Sequence, residues 1–332
     1  MSARRFPSAE AVPPAEALAP VSIGEVRAAV DRIRNVAIRT PLLPLGEDSG
    51  GPEILLKPEN LQPIGSFKIR GAANSVACAD PASLERGIGT ASAGNMGRAV
   101  AWLAHQRNLP CTVVVPEGAP AAKVEPMRLL DATILEEPWD RWWQALVENR
   151  HPAVRGAFLS PFASAPMIAG NGTIGLEIVE DLPDARAVVV PFGGGGLASG
   201  IASALRALRP DVQVYAAEVA TAAPLAAAFT AREPVTVEME RSFVDGIGSR
   251  RVTDAMWPLV STVLAGSIVV SLDEVRAALR LLAARARIVA EGAGAVAVAA
   301  ALTGKAGPGP VVAIVSGGNI DPPVLAEVLQ AG

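Results

Sequence analysis

The sequence predicts an α/β protein whose open, mostly parallel sheets are covered by helices on both faces. Short apolar runs, among them Cys111 to Val115, Ala187 to Val190 and Val311 to Val315, recur along the chain. Helix-length segments rich in Ala and Leu separate them. Strands joined through helices form parallel sheets buried on both sides. At roughly 100 to 200 residues per domain, a chain of 332 residues has room for two.

The elements follow in order. Residues up to Val21 form a Pro- and Ala-rich lead-in, expected to be flexible. Ser22 and Glu25 fit the S-x-x-E capping box, and Val26, Ala29, Val30 and Ile33 then repeat at helical spacing. Ile54 to Leu56 reads as a short strand running into Lys57-Pro58. A helix beginning near Gly65 covers Lys68 to Ala77, and a strand ends near Ala91. Gly97 to Gln106 is helical, Cys111 to Val115 a strand, Lys123 to Leu130 a helix, Thr133 to Leu135 a strand and Trp142 to Asn149 a helix. In the second half Ala187 to Val190 is a buried strand, followed by four glycines and a helix to about Leu208. Val212 to Ala217 and Val311 to Val315 are further strands.

Composition narrows the function classes. Half the residues are apolar, and 29 basic against 33 acidic residues leave a charge of −4 with no basic block, which disfavours nucleic acid as a partner. Cys78 and Cys111 stand far apart with no ligand-type neighbours, so they read as small apolar residues rather than a staple or a metal site. His105 and His151 lack metal-ligand spacing. The apolar stretch Ile288 to Leu302 is shorter than the roughly 20 residues a membrane span needs, and Glu291 interrupts it. A soluble, cytoplasmic protein is expected. Trp139, Trp142 and Trp143 face different sides of one helix and read as packing residues rather than a stacking platform.

Four segments carry chemistry. Lys68 stands between Phe67 and Ile69, and a lysine losing solvent there loses part of the free energy that favours its ammonium form. Its amine becomes able to attack an aldehyde. Read alone, it is also compatible with a solvated helix lysine beside Arg70. Gly193-Gly194-Gly195-Gly196-Leu197 lies between a buried strand and a helix, where converging N–H groups and the helix N-terminus suit a phosphate. No lysine follows as in an NTP-binding loop, and the sixth position of a dinucleotide fingerprint lacks glycine. A dinucleotide site and a tight strand-to-helix turn remain the other readings. Ser92-Ala93-Gly94-Asn95 offers polar groups to a carboxylate or phenolate oxygen, or equally a helix cap. Ser316-Gly317-Gly318-Asn319 places a hydroxyl at a strand end, able to bond a heterocyclic nitrogen or to form a turn.

Together and in this order, these segments resemble the serine/threonine dehydratase family, whose members use pyridoxal 5′-phosphate on the fold of tryptophan synthase β. The resemblance runs from about Ser22 to Leu329. It takes in Lys57-Pro58-Glu59-Asn60-Leu61-Gln62, Gly170-Asn171-Gly172-Thr173-Ile174-Gly175, Asp245-Gly246-Ile247-Gly248 and Glu291-Gly292-Ala293-Gly294. It implies that Lys68 carries the cofactor as a Schiff base and moves the α-proton of a small amino-acid substrate. It further implies that Phe67 packs near the ring, that Gly193, Gly194, Gly195, Gly196 and Leu197 cradle the phosphate, and that Asn95 bonds the ring oxygen. Ser316 would meet the ring nitrogen, Gly246 and Glu291 would line the ring edge, and Ser92, Ala93, Gly94 and Asn95 would grip the substrate carboxylate. The reaction implied is loss of water from threonine or serine, giving a 2-oxo acid and ammonia. Another β-hydroxy amino acid, such as a 3-hydroxyaspartate, phenylserine or a hydroxyectoine-derived compound, is the alternative.

Relatives of this kind form homodimers or homotetramers. A smaller mobile domain over 85–164 is implied, inserted into a larger cofactor domain made of 22–84 and 165–332. The chain departs from the family at Met96 and Ser160, where histidine is usual, and at Asn171, where glutamine is common. Met96, beside the carboxylate loop, puts the substrate in question. Racemising relatives have serine where Ala93 stands, which argues against racemase activity. The family's cation site would fall near Glu218, Ala222 and Pro224, and the missing carboxylate at Pro224 predicts no tight metal. The short stretch after Asp321-Pro322-Pro323 implies no regulatory domain.

Overall fold

The computed structural model describes residues 17–46 and 52–330. The first 16 residues of the expected lead-in lie outside the described residues. The remainder of that lead-in is anchored at two points, with Ala17, Ala19 and Pro20 exposed: the Leu18 N–H donates to the Ala255 carbonyl, and Val21 is buried.

Among the described residues ten strands form two sheets. In chain order they are β1 (Leu43–Pro44), β2 (Ile54–Pro58), β3 (Ile88–Ala91), β4 (Cys111–Pro116), β5 (Thr133–Glu137), β6 (Ala157–Phe158), β7 (Ala187–Pro191), β8 (Gln213–Val219), β9 (Gly266–Val270) and β10 (Val311–Val315). The larger sheet runs β1-β2-β10-β7-β8-β9 and the smaller β5-β4-β3-β6. All pairings are parallel except β1 with β2. Helices flank each sheet, and the chain leaves the larger sheet after β2 and returns to it after β6.

The apolar runs explain the layering. In the larger sheet successive side chains point to opposite faces. Val188, Val190, Val312 and Ile314 pack with the helices Ile23–Ile33, Ala165–Asp181 and Gly196–Leu208. Ala187, Val189, Val311, Ala313 and Val315 pack with the helices Leu272–Leu281 and Gly292–Leu302. Both faces are covered, so the strands read as continuous apolar runs rather than alternating ones. The capping box at Ser22 is formed: its Oγ accepts from the Glu25 N–H at 3.2 Å, and the Glu25 carboxylate accepts from the Ser22 N–H at 2.7 Å. The stretch weighed above as a membrane span contains the buried 11-residue helix Gly292–Leu302, and no described helix is long and apolar enough to cross a membrane.

Under the lysine helix, Lys68–Cys78, lies a buried set of four charges. Arg70 donates from Nε and Nη2 to Glu59 at 2.8 Å each, and from Nη1 and Nη2 to Glu177 at 2.6 and 2.9 Å. Lys57 Nζ adds an ion pair to Glu177 at 2.7 Å and a hydrogen bond to the Thr40 carbonyl at 2.6 Å. Two cations and two anions cancel, and none of the four is more than 9% exposed. This network ties the end of β2, the first turn of the lysine helix and the helix Ala165–Asp181 into one block.

Candidate active site

The site forms at the carboxyl ends of β2, β10 and β7, three adjacent strands of the larger sheet. Open parallel sheets bind ligands beyond this edge, where the strand order reverses. The segment after β2 leads to Lys68, the one after β10 carries Ser316 and the one after β7 is the glycine run. Because β10 sits between the other two, chain segments far apart in sequence become neighbours.

Lys68 opens its helix, and its Nζ donates to the Pro161 carbonyl at 2.6 Å and lies 5.0 Å from the centre of the Phe67 ring. Burial lowers its pKa to about 8, against the opposing pull of the Glu291 carboxylate. About a tenth of the amine is therefore free at pH 7, far more than for an ordinary lysine, and attack on an aldehyde requires that free form. The Phe67 N–H donates to the Ser316 carbonyl at 3.0 Å, so the lysine helix is pinned to the end of β10. The Ser316 side chain is buried.

In the glycine run the N–H groups of Gly193, Gly194, Gly195, Gly196, Leu197 and Ala198 have no acceptor among the described residues, whereas the next one, Ser199, bonds Gly195. Such a row of free donors at a helix N-terminus suits an anion. The underside of the run is closed by Phe162: a Cβ on Gly194 would lie 2.3 Å from its ring, and one on Gly196 would lie 2.6 Å from its carbonyl oxygen. Side chains at these two positions are excluded by close approach.

Glu291 begins the helix Gly292–Leu302, and its N–H donates to the Gly317 carbonyl at 3.0 Å. Its pKa is pushed up to about 7 by burial, opposed by the hydrogen bond from Asn95. That bond, Asn95 Nδ2 to Glu291 Oε1 at 2.7 Å, joins the segment after β3 of the smaller sheet to the start of a helix packed on the larger sheet. Asn319 extends the link: its Nδ2 donates to Asn95 Oδ1 at 2.7 Å, and its Oδ1 accepts from Arg98 at 2.7 Å. Gly246 borders the same carboxylate, since a Cβ there would lie 3.4 Å from Glu291 Oε1. Lys123 Nζ, on the helix after β4, pairs with Asp245. Ser92 Oγ accepts from the Gly94 N–H at 3.2 Å, and Ala93, Gly94 and Asn95 are at least partly open to solvent.

Several residues sit differently from expectation. Met96 does not face the cleft. It is 1% exposed in the core around β3 and β4, with Val113, Val124 and Met127 as fellow members, so it has no direct path to a substrate. Asn171 is buried inside the helix Ala165–Asp181, with neither amide atom hydrogen-bonded. Ser160 turns its Oγ to the Ala163 N–H at 2.9 Å. Asn95 spends its amide donor on Glu291 rather than presenting it to open space. Trp142 and Trp143 pack against Ala145 and Leu146. Glu218 is buried beneath the helix Pro224–Ala231, accepting from the N–H groups of Leu225 and Ala226 at 2.8 Å each. Among the described residues no three His, Cys, Asp or Glu side chains cluster as a metal site would require. The motifs did not reveal Pro161 or Phe162. They follow the shortest strand of the smaller sheet and carry no chemical signature of their own, and the proline alone marked a turn.

The family described as "Pyridoxal-phosphate dependent enzyme" matches residues 33–317. The chain is 39% identical over 320 residues to the L-threonine ammonia-lyase of Thermotoga maritima, covering 94% of this chain and 79% of that protein. Its fold is similar to the processed form of threonine deaminase isoform 2 from Solanum lycopersicum, with a TM-score of 0.83 at 28% identity, covering 97% of this chain and 94% of that one. Maize serine racemase is similar as well, with a TM-score of 0.84 at 30% identity, covering 94% and 98%. The chemistry of the residues present fits such a cofactor: a partly free lysine amine for its aldehyde, unpaired N–H groups for its phosphate and a buried serine hydroxyl for a ring atom. With a family match over most of its length and a site of this composition, the chain belongs to the pyridoxal-phosphate dependent enzymes.

Proposed function

We propose that the protein is an ammonia-lyase that removes water from a β-hydroxy amino acid, threonine or serine by default, releasing a 2-oxo acid and ammonia. The observation that carries this reading is a part-buried lysine amine bonded to the Pro161 carbonyl, next to the Phe162 that lies against the loop of unpaired N–H groups. The cofactor, when bound, supplies an electron sink that makes the α-proton of an amino acid removable. The protein's own residues do the rest. Gly193 to Leu197 would hold the phosphate, and Lys68 would hold the aldehyde carbon and, once the substrate amine takes its place there, its freed Nζ would accept the α-proton. Phe67 and Gly246 would confine the ring, Asn95 and Glu291 would border it, and Ser316 would offer a neutral hydroxyl to the ring nitrogen. The Ser92 to Asn95 loop, with its exposed Gly94, receives the substrate carboxylate. Ala93 has no hydroxyl to return a proton, which favours elimination over racemisation. The division into 22–84 with 165–332 and an inserted 85–164 is supported by the smaller sheet lying wholly between Ile88 and Phe158.

An absorbance spectrum of the purified protein with added pyridoxal phosphate, followed by 2-oxo acid release from threonine, serine and 3-hydroxyaspartate, tests the proposal. A visible band that Lys68→Ala lacks, with product from threonine or serine, is the expected result. No band removes the proposal, and product from 3-hydroxyaspartate alone replaces the substrate. A homodimer or homotetramer is supported by exposed Ile38, Leu61 and Val289 around the Asn60 turn, where Asn60 Nδ2 donates to the Val289 carbonyl. Light scattering that returns the monomer mass overturns it.

A further inference from the structure

Residues 160–164 form the segment by which the chain returns from β6 to the helix Ala165–Asp181. It is held at each step. Ser160 Oγ accepts from the Ala163 N–H at 2.9 Å, closing a tight turn, and Ser164 caps the helix. Between them the Pro161 carbonyl accepts from Lys68 at 2.6 Å. The next side chain, Phe162, touches two hydrophobic clusters: that of the larger sheet with Ile168 and Leu197, and that of the smaller domain with Ala145 and Leu146. On its other side the segment is less supported. A cavity of about 320 Å³ lies behind it, lined by Ser75, Asn149, Leu159, Ser160, Ser164 and Pro166. The segment is thus a thin wall, carrying the Lys68 bond and the Phe162 contacts and bordered by the cavity at Ser160 and Ser164.

Phe162 is the part of that wall under the phosphate cradle. Its ring lies where a Gly194 side chain would be, and its carbonyl lies where a Gly196 side chain would be. A glycine run has no side chains to hold its own shape, and glycine is the residue with most conformational freedom to lose. Something must keep six N–H groups turned towards one anion. We propose that Phe162 is a positioning residue for the cofactor phosphate: its ring is the floor that holds Gly193 to Leu197 in the anion-binding shape. The inference rests on the assignment of the cradle to pyridoxal phosphate.

Two cofactor forms separate this role from general support of the fold. Pyridoxal has the aldehyde that Lys68 captures but lacks the phosphate. Apoprotein of the wild type, Phe162→Leu and Phe162→Ala is titrated with each, following the visible band, and thermal unfolding checks that each variant is folded. Phe162→Ala is expected to weaken pyridoxal phosphate by about tenfold or more, the equivalent of ~1.4 kcal/mol, and pyridoxal by less than about twofold. Phe162→Leu, which refills part of the floor and keeps the fold if Phe162→Ala does not, moves in the same direction by less. Equal weakening of both forms makes Phe162 a merely structural residue and overturns the proposal, as does unchanged binding of both. If the wild type binds neither form, the cofactor assignment itself fails.

Discussion

Arg70→Met tests the buried charge network beneath the site. Arg70 makes four bonds to the Glu59 and Glu177 carboxylates at 2.6 to 2.9 Å, plus bonds to Thr173 Oγ1 at 3.1 Å and the Ile38 carbonyl at 3.0 Å. Methionine fills much of the volume but removes the charge, so the four-charge set goes from neutral to a net negative charge with Lys57 as the remaining cation. Breaking a buried pair by removing one partner costs about 3–5 kcal/mol, because the other is left desolvated and unpaired. Domains of ordinary stability have about 5–15 kcal/mol in total, so the loss is a large fraction. Urea unfolding of the apoprotein measures it, and an unchanged m-value shows that the same transition is compared. Glu59→Gln in the same background restores neutrality: Lys57 and Glu177 still pair, and Gln loses no charge partner. The double variant is therefore expected to be more stable than the sum of the single effects by about 0.5–3 kcal/mol. A loss below about 1 kcal/mol for Arg70→Met, or strict additivity in the double variant, refutes the view that these charges are energetically coupled.

Two further outcomes follow from the site. The Glu291 carboxylate holds the Lys68 pKa up, against the burial that lowers it to about 8. Glu291→Gln removes that pull, so the pH midpoint for cofactor capture by the apoprotein falls. The rate rises as the amine loses its proton, and stopped-flow absorbance across roughly pH 6 to 10, which brackets the lowered Lys68 value and lies below the free-lysine value of about 10.4, reads it; a midpoint that rises or stays counts against the assignment. Gly194→Ala drives a Cβ to 2.3 Å from the Phe162 ring. Overpacking of this kind costs about 1–3 kcal/mol, and cofactor retained after dialysis should drop accordingly, whereas full retention would show that the floor yields freely.

The chemistry of the site was legible where it was local. Lys68 between two apolar residues, a glycine run after a buried strand and a serine at the end of another each allowed a chemical reading within a few positions, beside a plainer structural one, and their order together decided between them. The α/β class was legible for the same reason, as apolar runs and helical spacing are local patterns. What was not legible came from packing. Met96 follows Asn95 directly, yet the turn of the helix Asn95–Arg107 carries it into the core rather than the cleft. The helix Ala165–Asp181 holds Gly170, Gly172 and Gly175, a composition that hides helical periodicity although those glycines lie against the lysine helix and the helix after the glycine run. The position of β10 between β2 and β7 is a pairing choice that no segment states alone.

That pairing sets the dimensions of the site and defines a last perturbation. Neighbouring strands lie about 4.8 Å apart, so β2 and β7 are held about 10 Å apart, with the Ser316-Gly317 turn between them. Gly317 is where the domain link crosses this turn: a Cβ there would lie 2.6 Å from Glu291 Oε1 and 3.2 Å from Asn95 Nδ2. Gly317→Ala therefore presses on both ends of the Asn95–Glu291 bond while leaving Lys68 and the glycine run unaltered. If the cradle and the lysine hold the cofactor and the Asn95 bond serves to bring the smaller domain over the substrate, the two functions separate. The variant should keep its cofactor band and lose turnover by about tenfold, with the loss greater in kcat/KM than in cofactor affinity. Loss of the band in step with turnover would instead place Asn95 and Glu291 among the groups that hold the cofactor, and the domain link would be a consequence of binding rather than its partner in catalysis.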